Sequence, residues 1–371
     1  MNIQNQNHLI NLNDYSTETW DSIITLAQLI KKTPRVYKGA CTGKIMGTLF
    51  YEPSTRTQMS FQSAMLRLGG GIIGFDNPET SSISKGESLS DTAKVISGYS
   101  DVIVMRHYLE GAAKAAAMYS DCPIINAGDG GHLHPTQTLT DLLTLTEEKG
   151  RLTNLNIGIC GDLKHGRTVH SLVRAVSRYM GNTFTFISTP ELSMPDYIKK
   201  ELRGIAGISD FTDYGCFSEV HSLEEAMEHL DVLYMTRIQR ERFPDTPEGR
   251  AEYNRQQQIF TLTADKLREA KPDLIIMHPL PRVDEIATDV DADPRAVYFK
   301  QANYGMYVRM ALILTILNHK IDMEPLLSGK SVITKRDCTN LKCVTHYEPT
   351  LPKRSFIKDG KTVCEYCDCC D

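Results

Sequence analysis

The feature that most constrains this chain is an alternation. Short runs rich in β-branched residues recur along it: KIMGTLFYE (44–52), DVIVMRH, PIINAGD, NIGICGD, TFTFIS, DVLYMTR and DLIIMHPLP. Most are followed by helix-compatible stretches such as TVHSLVRAVSRYM (168–180). After the first run, Pro53 and Ser54 make a turn. TRTQMSFQSAMLRLGG then carries Met59, Ala64, Met65 and Leu68 near a helical period and closes on glycines. Strand, loop and helix in repetition imply an α/β protein with doubly wound domains, parallel sheets covered by helices on both faces. Such sheets bind ligands where strand carboxyl ends meet loops, so the residues just after these runs are the candidates.

Composition narrows the class. The 371 residues leave room for about two or three domains. A net charge of -5 and a pI of 6.1 exclude a general nucleic-acid binder, which needs a basic surface. The polar N-terminal stretch lacks the cationic start and apolar run of a signal peptide, which implies a cytoplasmic protein. MALILTIL (310–317) follows Arg309 and is too short to span a bilayer, so a buried helix and no membrane segment are expected. Cys41, Cys122, Cys160 and Cys216 are scattered and read as small core residues, whereas the other six of the ten cysteines crowd into the last 34 residues. That asymmetry marks a separate module.

EPSTRT (52–57) puts Ser54, Thr55, Arg56 and Thr57 at the first turn of the expected helix, where unpaired N–H groups and the positive dipole end suit an anion. Arg56 adds a planar fork for phosphate oxygens. Alone, the hexapeptide would read as an N-cap with a solvated arginine. A dinucleotide turn is disfavoured, because GICGDLKHG does not fit the GxGxxG spacing.

The hexapeptide is followed in order by RHYLEG, AGDGGHLHPTQT, GDLKHGRTVHS, YMTRIQRER and HPLPRVDEIATDVD. With these motifs the chain resembles the aspartate carbamoyltransferase catalytic chain, from near its N-terminus through about residue 318. The resemblance implies transfer of a carbamoyl group from carbamoyl phosphate to the amino group of L-aspartate in pyrimidine synthesis, with no cofactor in the chemical step. It implies that Ser54, Thr55, Arg56 and Thr57 hold the phosphate with Arg106 in reach. Thr57, Arg106 and His134 polarise the carbamoyl oxygen, and Gln137 with the backbone carbonyls of Pro279 and Leu280 orients the carbamoyl NH2. Arg167, Arg237 and Gln239 match the positions that grip the two aspartate carboxylates. Ser81 and Lys85, in TSSISKGESLSDT, match residues that reach into a neighbouring subunit's site, which implies a homotrimer with shared active sites and leaves larger assemblies open. Ser84, His165 and Gln58 depart from the usual pattern at positions where a lysine, a tyrosine and an arginine are common. The alternatives are another carbamoyltransferase, such as one acting on ornithine, or a catalytically silent assembly partner.

In the tail, Cys338 and Cys343 are separated by four residues and Cys364 and Cys367 by two, a spacing that lets two loops deliver four thiolates to a structural Zn2+. Disulfides fit a cytosolic protein less well. Cys369 and Cys370 leave the choice of ligands open. CTNLKCVTHYEP with VCEYC is similar to the zinc domain of the aspartate carbamoyltransferase regulatory chain. The nucleotide-binding domain of that chain has no counterpart here, so no CTP or ATP site of that kind is expected. The resulting division is a carbamoyl phosphate-binding domain over 1–140, completed by a helix at 304–318, an aspartate-binding domain over 150–300, and a zinc-binding domain over 325–371.

Overall fold

The computed structural model describes residues 8–205, 216–238, 240, 243–318 and 330–370, with the side chains of Arg167, Ile205 and Gln258 also outside the description. The described residues fall into two compact units, one drawn from Met1–Leu139 and Gly305–Asp371, the other from Thr140–Tyr304.

The first unit starts with α1 (Thr17–Lys32), capped by the Ser16 hydroxyl, which accepts from the Thr19 N–H. Its buried face carries Trp20, Ile23, Ile24, Ala27 and Ile30 at helical spacing. Then come β1 (Ile45–Phe50), α2 (Thr55–Arg67), β2 (Gly71–Phe75), α3 (Leu89–Ser97), β3 (Val102–His107), α4 (Ala112–Ala117) and β4 (Ile124–Asp129). The strands form a parallel sheet in the order β2-β1-β3-β4. Met46–Phe50 and Val102–Met105 are buried throughout, as expected of central strands covered on both faces. One expectation is corrected in α2. Met59 is 62% exposed, and Phe61 instead joins Thr57, Ala64, Met65 and Leu68 on the inward face. The true stripe follows the i, i+4, i+7, i+8, i+11 spacing from Thr57, which Met59 misses.

The boundary between the units falls within α5 (Pro135–Lys149) and again near the middle of the last long helix. The second unit holds β5 (Asn156–Cys160), α6 (Arg167–Val176), β6 (Thr183–Ile187), α7 (Asp196–Ile205), β7 (Phe217–Val220), β8 (Val232–Met235), α8 (Pro247–Phe260) and β9 (Ile275–Met277). Its parallel sheet has the order β7-β6-β5-β8-β9. The last long helix, α9 (Tyr298–Leu317), includes the MALILTIL run, of which Met310, Ala311, Leu312, Ile313, Leu314 and Ile316 are buried. No helix among the described residues is long and apolar enough to cross a membrane. Cys41, Cys122, Cys160 and Cys216 are all buried.

Both sheets are doubly wound. In the first, the chain passes from β1 to β2 on one side and then to β3 on the other; in the second it runs β5, β6, β7 outward and returns to β8. Each therefore has a switch point, beside β1 and β3 and beside β5 and β8, where a crevice opens at the strand ends.

The tail folds as a small antiparallel sheet, β10 (Val332–Ile333), β11 (Arg354–Lys358) and β12 (Lys361–Cys364). Asp359 and Gly360 both have positive φ, 51° and 77°, the requirement for a two-residue hairpin turn. The tail shares the core of the first unit: Cys343, Val344, Leu351, Tyr366 and Cys367 cluster with Leu109 and the alanines of α4. Gly111 permits this approach, since its φ is +83° and a Cβ there would lie 2.7 Å from Tyr366 Cβ.

Candidate active site and metal centre

At the first switch point, β1 delivers Glu52 to Thr57 and β3 delivers Arg106, whose Cα stands opposite Phe50 in the sheet. Ser54 precedes α2 with φ -154° and ψ 82°, and its side chain makes no capping bond, so its hydroxyl is not spent on the helix. The N–H groups of Thr55, Arg56 and Thr57 belong to the first turn and have no intrahelical acceptor. Arg106 is oriented from two sides: Nη2 is 2.8 Å from Glu52 Oε2, and Nη1 donates to Ala127 O at 3.2 Å. Nη1 also stands 3.5 Å from His134 Nε2, just ahead of α5. Gln137 lies in the first turn of that helix, its N–H donating to His134 O.

Electrostatically the place is poised for an anion. Partial burial and the neighbouring Arg106 both lower the pKa of Arg56, because a second positive charge here is unfavourable. A bound dianion relieves that repulsion and would sit on the helix dipole as well. Thr57 is buried beneath.

At the second switch point, Gly161 follows β5 with φ +121°, and a Cβ there would lie 2.4 Å from Thr236 O at the end of β8. The glycine lets the two strand ends close. Asp162 is buried and accepts from the His165 N–H, with His165 Nδ1 3.1 Å away, which shapes the loop entering α6. Arg167 is the first residue of α6, but its side chain lies outside the described residues, as does all of Gln239. Arg237 is half-buried just after β8.

The HPLP loop after β9 is held by a buried polar network. His278 N–H donates to Gln301 Oε1 at 2.9 Å, and Gln301 Nε2 donates to Asp141 Oδ1 at 2.7 Å. The Tyr234 hydroxyl donates to Asp141 Oδ2 at 3.0 Å. His278 Nδ1 accepts from the Leu280 N–H at 2.7 Å, so Nε2 carries the proton that it donates to Glu285 Oε1 at 2.7 Å. Glu285 Oε2 accepts from the Val283 and Asp284 N–H groups. Burial pushes the Glu285 carboxyl up, but these hydrogen bonds outweigh it and leave its pKa below the usual value. Leu280 has φ +54° and precedes a cis proline. Among the described residues the carbonyls of Pro279 and Leu280 accept no hydrogen bond.

In the tail, the Sγ atoms of Cys338, Cys343, Cys364 and Cys367 all lie within 4.8 Å of one another. Cys338 and Cys367 are 3.6 Å apart, and Cys343 and Cys364 3.8 Å. Thiolates about 2.3 Å from a tetrahedral zinc stand about 3.8 Å from each other, whereas a disulfide would need about 2.05 Å. The donor set fits a structural metal. Hydrogen bonds with Cys343 and Cys367 pull the Cys364 thiol below its usual range, whereas those with Cys343 and Cys364 push Cys367 above it. Were all four to ionise this close together, a cation would be needed to offset their repulsion. Cys369 and Cys370 fall outside the cluster; Cys369 O accepts from the Cys364 N–H, and Cys370 is exposed.

Residues 7–147 match the model of the aspartate/ornithine carbamoyltransferase carbamoyl-P binding domain, and residues 153–316 the Asp/Orn binding domain of the same family. An aspartate carbamoyltransferase catalytic subunit from Clostridium perfringens is 56% identical over 310 residues, 84% of this chain and 97% of that one. The chain belongs to the carbamoyltransferase family. Among solved structures, the catalytic subunit of M. jannaschii aspartate transcarbamoylase superposes with a TM-score of 0.77 at 45% identity, covering 84% of this chain and 98% of its own. The Trypanosoma cruzi aspartate transcarbamoylase in complex with carbamoyl phosphate and aspartate gives 0.75 at 38% identity over 83% and 94%. The tail from residue 317 onward lies beyond both matched stretches.

In this carbamoyltransferase the first unit brings Arg106 beside His134, close behind the Ser54–Thr57 turn. Ser81 and Lys85 are not part of that group. The Ser81 hydroxyl donates to Pro78 O at 2.7 Å and accepts from the Ile83 N–H, and Lys85 is exposed at the end of a 3-10 turn (Ser82–Lys85). Among the described residues neither makes a hydrogen bond or ion pair to Ser54–Thr57, Arg106 or His134. Sequence reasoning missed several supporting residues. Gly128 has φ +120°, and a Cβ there would lie 2.6 Å from Arg106 Nη1 and 3.4 Å from His134 Cδ2. Glu52 stood in the quoted EPSTRT, and His278 and Glu285 both stood in the quoted HPLPRVDEIATDVD, so a carboxylate or histidine within each motif was the available signal.

Proposed function

We infer that this chain catalyses the reaction of L-aspartate with carbamoyl phosphate, giving N-carbamoyl-L-aspartate and phosphate, a step of pyrimidine nucleotide synthesis. The observation that carries the reading is the first switch point, where Arg56 and Arg106 face a helix start with His134 alongside. Ser54, Thr55, Arg56 and Thr57 hold the phosphate by hydroxyls, backbone N–H groups and guanidinium. Thr57, Arg106 and His134 donate to the carbamoyl oxygen as attack of the amine places negative charge on it. Gln137 and the unengaged carbonyls of Pro279 and Leu280 receive the carbamoyl NH2, and Arg167, Arg237 and Gln239 take the aspartate carboxylates. The C–N bond forms as the C–O bond to phosphate breaks, and the departing phosphate accepts the amine proton. The rate then comes from positioning and charge stabilisation.

Ser81 and Lys85 act in the site of an adjacent copy, in a trimer; that neither bonds to this chain's own set among the described residues supports the reading. Zinc on Cys338, Cys343, Cys364 and Cys367 would tie two tail loops together as a structural cross-link. The protein works in the cytoplasm.

The test is carbamoyl transfer by the purified protein, followed as phosphate release and as the carbamoylated amine, with L-aspartate or L-ornithine as the amine. Product with aspartate alone is expected. Product with ornithine and none with aspartate would overturn the assignment. Mixing inactive Arg56→Ala chains with inactive Lys85→Ala chains restores activity if sites are shared, and none if each copy builds its own.

A further inference from the structure

The tail meets the first unit at several points of the framework around its switch point. Glu110, shortly after β3, donates its N–H to Lys342 O at 3.0 Å and accepts from the Val344 N–H at 2.9 Å, while its carboxylate accepts from Asn340 Nδ2 at 2.7 Å. Glu348 Oε1 accepts from the N–H of Leu89, the first residue of α3, at 2.9 Å. Lys114 Nζ lies 3.0 Å from Oε1 of the buried Glu365. These contacts fasten the tail to the scaffold. A further one ends on the loop that presents His134.

That loop is built on Asp129, which is 1% exposed at the end of β4. Asp129 Oδ1 accepts from Asn126 Nδ2 at 3.1 Å and from the Leu133 N–H at 3.0 Å. Its Oδ2 accepts from the Gly111 N–H at 2.9 Å and stands 3.1 Å from His132 Nδ1. Because Leu133 directly precedes His134, Asp129 fixes the backbone that delivers the His134 ring. The other nitrogen of His132 reaches the tail: Nε2 is 3.0 Å from Asp368 Oδ2. Asp368 directly follows Cys367, and its N–H donates to Cys364 O at 3.1 Å. An unbroken run of hydrogen bonds thus joins two of the clustered cysteines to His134 through Asp368, His132, Asp129 and Leu133. Burial works against charge on His132, but its two carboxylate neighbours prevail and lift its pKa to about 10. A ring that donates from both nitrogens is a rigid strut between two acceptors.

We propose that His132 is a positioning residue that couples metal loading of the four-cysteine cluster to the loop carrying His134, so that zinc and carbamoyl phosphate favour each other's binding within one chain. The proposal rests on the carbamoyl phosphate reading of the first switch point. Coupling of this kind is reciprocal: if the metal orders the loop that receives carbamoyl phosphate, carbamoyl phosphate must strengthen metal retention by the same factor. A tail that only stiffens the fold would hold zinc equally well with or without that ligand.

The experiment follows zinc leaving the full-length, zinc-loaded protein into a chromophoric chelator, with and without saturating carbamoyl phosphate. In the unsubstituted protein, carbamoyl phosphate slows release by about fivefold or more, the lower end of ordinary coupling between sites. In His132→Gln, and separately in Asp368→Asn, zinc still loads but the effect of carbamoyl phosphate on its release vanishes. The same variants raise the carbamoyl phosphate KM and leave the aspartate KM unchanged. Asp368 is about half exposed, which gives a second variant whose folding is least at risk. Release that ignores carbamoyl phosphate in an active, unsubstituted enzyme overturns the coupling and leaves the functional reading standing. Coupling that survives in both variants also overturns the role of His132. An unsubstituted protein that forms no carbamoyl aspartate overturns the functional reading and the coupling with it.

Discussion

The first switch point and the HPLP loop of the second unit solve different problems on the same architecture. The first is built around charge: Arg56 and Arg106 are brought close, and Arg106 is held by Glu52 and the Ala127 carbonyl with His134 alongside. The HPLP loop at the end of β9 in the second unit is built around neutral acceptors. There His278, Glu285, Gln301, Asp141 and Tyr234 satisfy one another in a buried network, and among the described residues the carbonyls of Pro279 and Leu280 accept no hydrogen bond. A phosphate needs cations that can close on it, whereas an NH2 group needs acceptors already in place. The first set tolerates electrostatic strain that binding relieves, and the second invests in hydrogen bonds that exist before any ligand arrives.

Substitutions can break this contrast, and the largest effect belongs to the charge side. Arg106→Ala should lower kcat by about 100- to 1000-fold, the usual loss when one donor to a developing oxyanion is removed. Steady-state rates decide it, and a variant within a fewfold of normal would remove Arg106 from the chemistry. Gly128→Ala is next. Its Cβ would press on Arg106 Nη1 from 2.6 Å at a φ of +120°, so the guanidinium must move. A displacement approaching 1 Å costs up to about 100-fold in rate, and a crystal structure of the variant would show the shift directly.

On the neutral side the effect should appear as stability. Glu285→Ala strands the His278 Nε2–H and two backbone N–H groups, at a cost of about 1–3 kcal/mol in chemical denaturation. Because the native pKa of Glu285 lies below its ordinary 4.5, its stabilisation is fully present above that pH and fades as pH falls through the lowered native value. The gap between the two proteins should therefore narrow in acid; a gap that widened there would mean that the carboxylate is not what holds the loop. The smallest effect is expected from Lys94→Ala. Lys94 pairs with Asp121, but both side chains are 59% exposed, and its loss should change stability by less than about 0.5 kcal/mol.

Much of this was legible from the sequence because it is local. Strand, loop and helix alternate with periods set by the backbone, so the doubly wound class followed from the pattern of apolar runs. STRT sits just beyond a run, RH closes one and HPTQT comes a few residues after another, which placed Arg56, Arg106 and His134 near strand ends. Four cysteines with tight spacing announced their cluster in the same way. Where local pattern was ambiguous the reading slipped: Met59 and Phe61 are both apolar, and only the sheet beneath α2 decides which of them turns inward.

What the tertiary structure decided is long-range. No periodicity foretells that Gly128 must lack a side chain because Arg106, from a neighbouring strand, occupies its space. None foretells that Tyr366 packs on Gly111. The sequence by itself determined the elements, their order and the chemistry at their ends, since these depend on neighbours a few positions apart. Which of those ends meet depends on contacts between residues tens of positions apart, and that the cysteine tail rests on the loop of His134 through His132 depends on one across more than two hundred. Such contacts form only once the sheets have brought the chain back on itself.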